Sequence, residues 1–480
     1  MQERFLKRNQ LVELDIIDLA FGGVGVAKIP TEQGEFTVFV QNTVPGQRVR
    51  ARVEKAQKRF AECRLLDILQ RSPEETTIPY QRIPGAPYAA WPIERQRFFK
   101  QRNTLDLFRR IGKLERVEEV LDEYIESPSL WHYRNKMEYA FSVIRYDIEA
   151  AEERDDFGLG FKHRGTWWCV ENLDRDSGLF DAEFEGVLHL IREHLRATGL
   201  PAWLPPKQRG FFRYLMVRKS ILQDRLLVNL VTSAEGVESF DVRAFGAWLK
   251  ELLGERLAGL IHTVNPNTGD RIDPLNGRSD LILGDSVLVE EILGLRFEIS
   301  MTSFFQTNPK SAERLYQRVL DYAGVEEGDD GKVILDLFCG TGTISQLLAK
   351  QSHRDVVGVD IVADAIEDAR RSARRNGVEK VTFHAADVGK FLLEFPVYQG
   401  RIHCIVLDPP RGGIAPKTLR KVIALDAPRI VYVSCNPATQ ARDTLDLYEA
   451  GYRMKRLTLV DQFPHSSHIE TVACFEKEVS

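Results

Sequence analysis

From about residue 311 onward the chain alternates helix-like and strand-like stretches, and this alternation restricts the fold more than any other feature. SAERLYQRVLDYAG has helical spacing and leads into the apolar run VILDLF. A glycine loop, the helix ISQLLAK, the strand VVGVD, the helix ADAIEDARRSARRNG and the strands VTFHAAD, IHCIVLD and RIVYVSC follow. Strands spaced by helices in this way form a doubly wound α/β unit. Ligands of such sheets bind beyond the carboxyl ends of the strands. Four of those ends carry acids or a glycine loop. The first runs into Asp336-Leu337-Phe338-Cys339-Gly340-Thr341-Gly342-Thr343; the second ends on Asp360, the third on Asp387 and the fourth on Asp408. Glycines in the loop let the backbone approach a ligand. An acid at the second strand end can accept hydrogen bonds from ribose hydroxyls, and Asp387 is placed to bond an adenine amino group. The loop reads CGTGT rather than GxGxxG, which disfavours a dinucleotide dehydrogenase.

The chain upstream has a different texture. Residues 10–70 read as short alternating strands broken by glycines, with Val38, Val40, Val49 and Val53 on the buried side and Val44-Pro45-Gly46 at a turn. A five-strand barrel is their natural closure, and small barrels of this type often bind nucleic acid. RSPEETTIPYQRIPGAPY reads as a linker. Residues 93–120 read as a basic helix with Phe98, Leu105, Phe108 and Ile111 as its apolar stripe. Residues 126–300 mix strands such as MEYAFSVIRYDI and LLVNLVTSA with glycine-terminated helices. The expected division is a barrel over residues 1–72, a central α+β segment over 73–300 whose basic helix packs on the C-terminal unit, and the α/β unit over 301–480.

The net charge of −5 gives no general affinity for phosphate. Basic residues nevertheless cluster at Lys55, Lys58 and Arg59, at Arg95, Arg97, Lys100, Arg102, Arg109 and Arg110, and at Lys207, Arg209, Arg213, Arg218 and Lys219. No apolar run is long enough to span a bilayer, and MQERFLKRNQ lacks the pattern of a signal peptide. The expectation is a cytoplasmic chain without a membrane partner. The six cysteines (Cys63, Cys169, Cys339, Cys404, Cys435 and Cys474) are scattered and form no CxxC, so neither a disulfide framework nor a metal site is indicated.

The loop and the three acids together resemble the class I methyltransferases that bind S-adenosylmethionine. The fourth strand then runs into Asp408-Pro409-Pro410-Arg411-Gly412-Gly413, the fifth into Ser434-Cys435-Asn436-Pro437, and His468-Ile469-Glu470-Thr471-Val472 stands near the end. In these motifs the chain resembles the RNA uridine-5-methyltransferases. That family modifies the T-loop uridine of tRNA or particular uridines of large-subunit ribosomal RNA. The resemblance covers nearly the whole chain and includes Gly23-Val24-Gly25-Val26-Ala27 in a TRAM-type, OB-like barrel, Tyr133-Arg134-Asn135-Lys136, and Ser303-Phe304-Phe305-Gln306-Thr307-Asn308. It implies a Rossmann-like methyltransferase unit, an RNA substrate and a monomer. It also implies a methyl donor, S-adenosylmethionine, lined by Gln306, Phe338, Gly340, Thr343, Asp360, Asp387 and Asp408. Several relatives carry Asn where this chain has Thr343.

The chemistry asks for the same residue types. Carbon 5 of uracil is a poor nucleophile until a thiolate adds at carbon 6. A base must then remove the carbon 5 proton before the thiol leaves. Cys435 is assigned as the nucleophile and Glu470 as the base, while Cys339, Cys404 and Cys474 are read as packing. Many relatives hold an iron–sulfur cluster on four cysteines, three of them between the barrel and the basic helix. This chain has no cysteine between Cys63 and Cys169, so no cluster is expected, with aromatic and proline packing in its place. The TRAM-type barrel resembles that of many of the ribosomal RNA enzymes, which favours 23S ribosomal RNA over tRNA as substrate. Carbon 5 of cytosine and a non-catalytic RNA-binding role are the alternatives, and the Glu470 motif and Cys435 respectively argue against them.

Overall fold

The computed structural model describes residues 5–478 apart from 33, 270–275, 327, 329, 330 and 395. The N-terminal strands are β1 (Leu11–Asp15), β2 (Asp18–Ala20), β3 (Val24–Thr31), β4 (Gly34–Gln41), β5 (Arg48–Ala56) and β6 (Phe60–Gln70). They pair in the order β1-β5-β6-β4-β3-β2. β1 and β2 form one path bent at Ile16 and Ile17. Its first half pairs with β5 and its second with β3, which closes the five-strand OB-like barrel. Alternation sets the inside: in β5, Val49, Ala51 and Val53 are buried while Arg48, Arg50 and Arg52 face out.

The stretch read as a linker is packed. Ile83, Ala86, Tyr88 and Trp91 are buried. Tyr88 meets Trp91 edge-on at 5.9 Å, and Trp91 meets Phe99 at 5.2 Å, against Leu19 and Val44 of the barrel. Turn residues there mark an irregular backbone, not an exposed one. Phe99 lies on α1 (Ile93–Arg110). Most cations of this helix are struts rather than a free basic face. Arg97 pairs with Glu126, Arg102 with Asp18 on the barrel, and Arg109 with Asp106 and Glu118, while Arg110 is exposed. A charge run counted in sequence leaves out the acids that folding brings to it. Lys100 is almost wholly buried, bonding Asp461 at 2.7 Å and the Phe463 carbonyl at 2.9 Å. Lys100→Met would strand a buried carboxylate. It should destabilise the protein by about 3 kcal/mol or more, measured as a lowered thermal unfolding midpoint; an unchanged midpoint would show that the pair contributes nothing.

After β7 (Leu121–Ile125), the central region holds β8 (Lys136–Asp147), β9 (Glu152–Lys162), β10 (Val170–Asn172), α2 (Ala182–Arg196), β11 (Phe212–Ser220), β12 (Arg225–Ser233), α3 (Val242–Leu253), β13 (Leu257–Asn265) and β14 (Arg278–Gly284). Its sheet runs β10-β9-β8-β11-β12-β13-β14, with α2 and α3 packed on it. A hairpin of β15 (Val287–Ile292) and β16 (Leu295–Ser300) leads to the C-terminal unit.

That unit contains α4 (Pro309–Ala323), β17 (Val333–Leu337), α5 (Thr343–Ser352), β18 (Val356–Asp360), α6 (Ala363–Arg375), β19 (Val381–Ala385), α7 (Val388–Glu394), β20 (Ile402–Leu407), α8 (Pro416–Ala424), β21 (Arg429–Ser434), α9 (Pro437–Glu449), β22 (Tyr452–Val460) and β23 (Glu470–Lys477). The sheet order is β19-β18-β17-β20-β21-β23-β22-β7. β17 and β20 are buried along their whole length, as central parallel strands are. β23 alone in this sheet runs antiparallel to its neighbours. The edge strand β7 pairs in parallel with β22, and α1 packs on α9. Segments upstream of residue 126 therefore complete the catalytic layer, so the point where the sequence texture changes is not where the sheets divide. Among the described residues, no helix is long and apolar enough to cross a membrane.

Candidate active site

A cavity of about 810 Å³ opens at the carboxyl edge of the C-terminal sheet. Its floor is the loop after β17. Phe338 there has φ +69°, unusual for a side chain of that size. Phe338 and Cys339 donate their amides to the Val359 carbonyl at 2.8 and 3.0 Å, which pins the loop to β18. Gly342 has φ +74°, and a Cβ on it would stand 2.6 Å from the Phe383 ring. Asp360 accepts the Gly340 amide at 3.0 Å and the Val362 amide at 2.8 Å, one on each oxygen. Each oxygen keeps a further lone pair for a ligand. Asp387 caps α7 through the Lys390 amide at 3.0 Å. Gln306, Phe338, Gly340, Thr343, Asp360, Asp387 and Asp408 all line the cavity.

The other end of the same cavity holds Cys435 and Glu470. Cys435 follows β21 and Glu470 begins β23. Because β23 is antiparallel, Ser434 pairs with Thr471, so Cys435 and Glu470 stand one step beyond that pair, side by side at the sheet's edge. The Thr471 hydroxyl locks the register, within reach of the Ser434 carbonyl at 3.2 Å and the Gln440 amide oxygen at 2.7 Å. Asn436 caps α9 at the Ala438 amide and donates to the Arg411 carbonyl at 3.0 Å. That bond ties the loop after β21 to Asp408-Pro409-Pro410-Arg411.

Two distant motifs meet beside the cavity. Asn135 donates its backbone amide to the Thr307 carbonyl at 2.8 Å and its side chain to the Gln306 carbonyl at 3.0 Å. The Tyr133 hydroxyl donates to the Pro464 carbonyl at 3.0 Å, and Gln462 donates to the Gln306 side chain at 3.3 Å. Cys404 and Cys474 are buried in the sheet, whereas Cys339 touches the cavity. Sequence reasoning passed over Asp336, Tyr316, Arg411, Phe463 and His468, which also line it. Arg411 and His468 lie inside motifs already noted, and Asp336 begins the loop motif. Tyr316 lies on a helix that carried no signal.

Residues 6–66 match the TRAM domain and residues 328–470 match a methyltransferase domain. The chain is 34% identical over 490 residues to an uncharacterized RNA methyltransferase of Clostridium acetobutylicum, covering 99% of this chain and 100% of that one. The chain belongs to this family of RNA methyltransferases. A second relative, an uncharacterized RNA methyltransferase of Chlorobaculum tepidum, is 33% identical over 99% of this chain and 98% of its own. The crystal structure of Pyrococcus abyssi tRNA (uracil-54, C5)-methyltransferase with S-adenosyl-L-homocysteine matches with a TM-score of 0.70 and 25% identity, over 97% of this chain and 100% of that one. The RNA methyltransferase thus has the expected architecture, a TRAM-type barrel, a central α+β region and a Rossmann-like methyltransferase unit.

Burial dominates the electrostatics of this RNA methyltransferase's cavity. It pushes Asp408 and Asp336 each up to about 7 and Glu470 up to about 8; the Asp408 charge raises Glu470 further and Arg411 opposes. Cys435 is pushed up to about 11 by burial and by the charges of Glu470 and Asp408. The three carboxyls stand above their ordinary values of 3.8, 3.8 and 4.5. The stability they lend is therefore whole below those ordinary values and is lost as pH rises through 7 to 8. The ligand-free protein should melt progressively lower between about pH 4 and pH 8. Glu470→Gln, which cannot ionise, should remove part of that fall in thermal scans. Parallel curves for both proteins would contradict the assignment.

Proposed function

We propose that this RNA methyltransferase is a cytoplasmic enzyme that methylates carbon 5 of a uridine in RNA, with Cys435 as nucleophile and Glu470 as proton acceptor. The observation that carries this reading is their adjacency across the β21–β23 register, on one cavity with Asp408 and Asp360. The donor implied by the fold, S-adenosylmethionine, supplies an electrophilic methyl group when bound. The residues fit it. Asp336 Oδ1 is buried without a partner beside the loop, Asp360 offers acceptors suited to ribose hydroxyls, and Phe338 offers an apolar face.

The Cys435 thiol gives its proton to water, the thiolate Sγ adds at carbon 6, and carbon 5 becomes nucleophilic. Once carbon 5 carries its methyl group, the Glu470 carboxylate takes the remaining proton there, the 5,6 double bond re-forms as the carbon 6–sulfur bond breaks, and the thiolate leaves. The Arg411 guanidinium favours loss of the thiol proton, against the opposing charges of Glu470 and Asp408. The target base must be turned out of its stack to reach the cavity.

The TRAM-type barrel, which resembles that of many ribosomal RNA enzymes, favours 23S ribosomal RNA as the substrate. The whole-chain likeness to a tRNA enzyme favours the T-loop uridine instead. Transfer of labelled methyl to separate large-subunit rRNA and tRNA transcripts, followed by nucleoside analysis, tests both. Label in 5-methyluridine from one transcript is expected and names the substrate. Label in 5-methylcytidine, or in no nucleoside of either RNA, would overturn the proposal.

A further inference from the structure

A second cavity, of about 480 Å³, opens on the outer face of the barrel. Phe21, Phe39, Phe60 and Arg64 of the barrel wall it on one side, and Arg164 and Gly165 of the β9–β10 loop on the other. The aromatic rings are not needed for the barrel core, which Val38, Val40, Val49, Ala51 and Val53 fill. Phe39 sits on the outward side of β4, half-exposed, and meets Phe60 edge-on at 5.8 Å. The far wall is fastened down: Arg64 donates to the Gly165 carbonyl at 2.5 Å and Arg164 to the Asn42 carbonyl at 3.1 Å. The turn before Phe60 carries Lys58 and Arg59, both exposed.

The rim of this cavity touches a segment that leads to the catalytic one. Phe21 begins the β2–β3 turn, and Gly23 in that turn has φ +78°. A Cβ on Gly23 would stand 2.8 Å from both Ser467 Cβ and the Tyr88 hydroxyl. Ser467 precedes His468, which lines the catalytic cavity. The β2–β3 turn, whose Phe21 lines the barrel cavity, thus packs on the residue before His468.

We propose that the barrel cavity holds an unstacked base of the substrate RNA, from a nucleotide other than the target. OB-type barrels take oligonucleotides on the face of their second and third strands and the flanking loops. Those parts here are β3, β4, the Phe21–Gly23 turn and the Lys58–Arg59 turn. Phe39 and Phe60 give a stacking platform, which any base can use. Glu54 and Glu62 also line the cavity and engage Arg64 at 2.7 Å and Lys55 at 3.1 Å, which occupies those cations, so the backbone lies outside, on Lys58 and Arg59. Anchoring a second base holds the strand while the target base enters the catalytic cavity.

The proposal rests on the reading of this protein as an enzyme acting on RNA, and the test separates the two. The probe is a uridine-free, single-stranded RNA of about ten nucleotides, bound to the full chain and followed by fluorescence anisotropy. With no uridine present, the result does not depend on methylation at uridine carbon 5. Phe39→Ala and Phe60→Ala should each weaken binding about tenfold. Phe39→Tyr should bind like the parent, and Phe39→Leu should bind like Phe39→Ala. Equal affinity for Phe39→Ala and the parent would overturn the proposal. So would full affinity for Phe39→Leu, which would mean an apolar filler rather than a stacked base. If the alanine variants fail to fold, the Tyr-against-Leu comparison decides alone.

Discussion

Cys435→Ala should lower methyl transfer by about 10⁴-fold or more while the affinity for S-adenosylmethionine stays at its parental value. The size follows from the reaction. Without a thiol to add at carbon 6, no route remains to a nucleophilic carbon 5, and no nearby thiol can substitute: Cys339 is the other cysteine on the cavity, at its far end in the loop after β17. The cofactor affinity should survive because Cys435 lies beyond β21, whereas Asp360 and the Phe338–Gly342 loop are held by β18 and α5 through bonds that do not involve it. Single-turnover transfer and calorimetric cofactor titration measure the two quantities separately. Parental activity in the variant would rule out the covalent route, and lost cofactor binding would mean that the substitution disturbed the loop instead.

Glu470→Gln should slow turnover by about 10³-fold and should leave a covalent protein–RNA species that survives denaturation. The substitution keeps the shape of a buried side chain on the cavity wall and removes only its capacity to take a proton. Addition at carbon 6 and methylation at carbon 5 can still proceed, but the thiol cannot leave until the carbon 5 proton has gone. The adduct should appear as a retarded band on a denaturing gel. It should vanish in the Cys435→Ala, Glu470→Gln double variant, whose activity should be no lower than that of Cys435→Ala alone, since the two residues act in one sequence of steps. Parental turnover with no adduct would point to Asp408, the neighbouring buried carboxyl, as the acceptor.

The barrel and the catalytic sheet were legible because both are written in short-range patterns. Alternation in β4 and β5 marks the buried valines, and the apolar runs of β17 and β20, interrupted only by Asp336 and His403, mark strands covered on both faces. The acids at strand ends were legible as well, since a parallel sheet puts every such end on one edge. Less legible were the places where charge or turn composition stood in for environment. Lys100 reads as one more cation of a basic helix, yet it is buried on Asp461, far away in sequence. Tyr88 and Trp91 sit among prolines and glycines, yet they wedge the barrel against α1. A residue's partners from other elements are invisible until those elements dock.

The sequence by itself determined the layered α/β unit, its glycine loop and the residue types the chemistry needs, because each depends on local periodicity or on a short motif. Only the tertiary structure decided their assembly. One strand, β23, runs against its neighbours, and that reversal carries Glu470 to the edge where Cys435 already stands. Segments from the first third of the chain, α1, β7 and the Tyr133–Lys136 motif, then brace this edge through buried bonds to Asp461, Pro464 and Gln306. No spacing along the chain encodes such contacts, because they arise from the packing of whole elements whose mutual placement the buried surface sets.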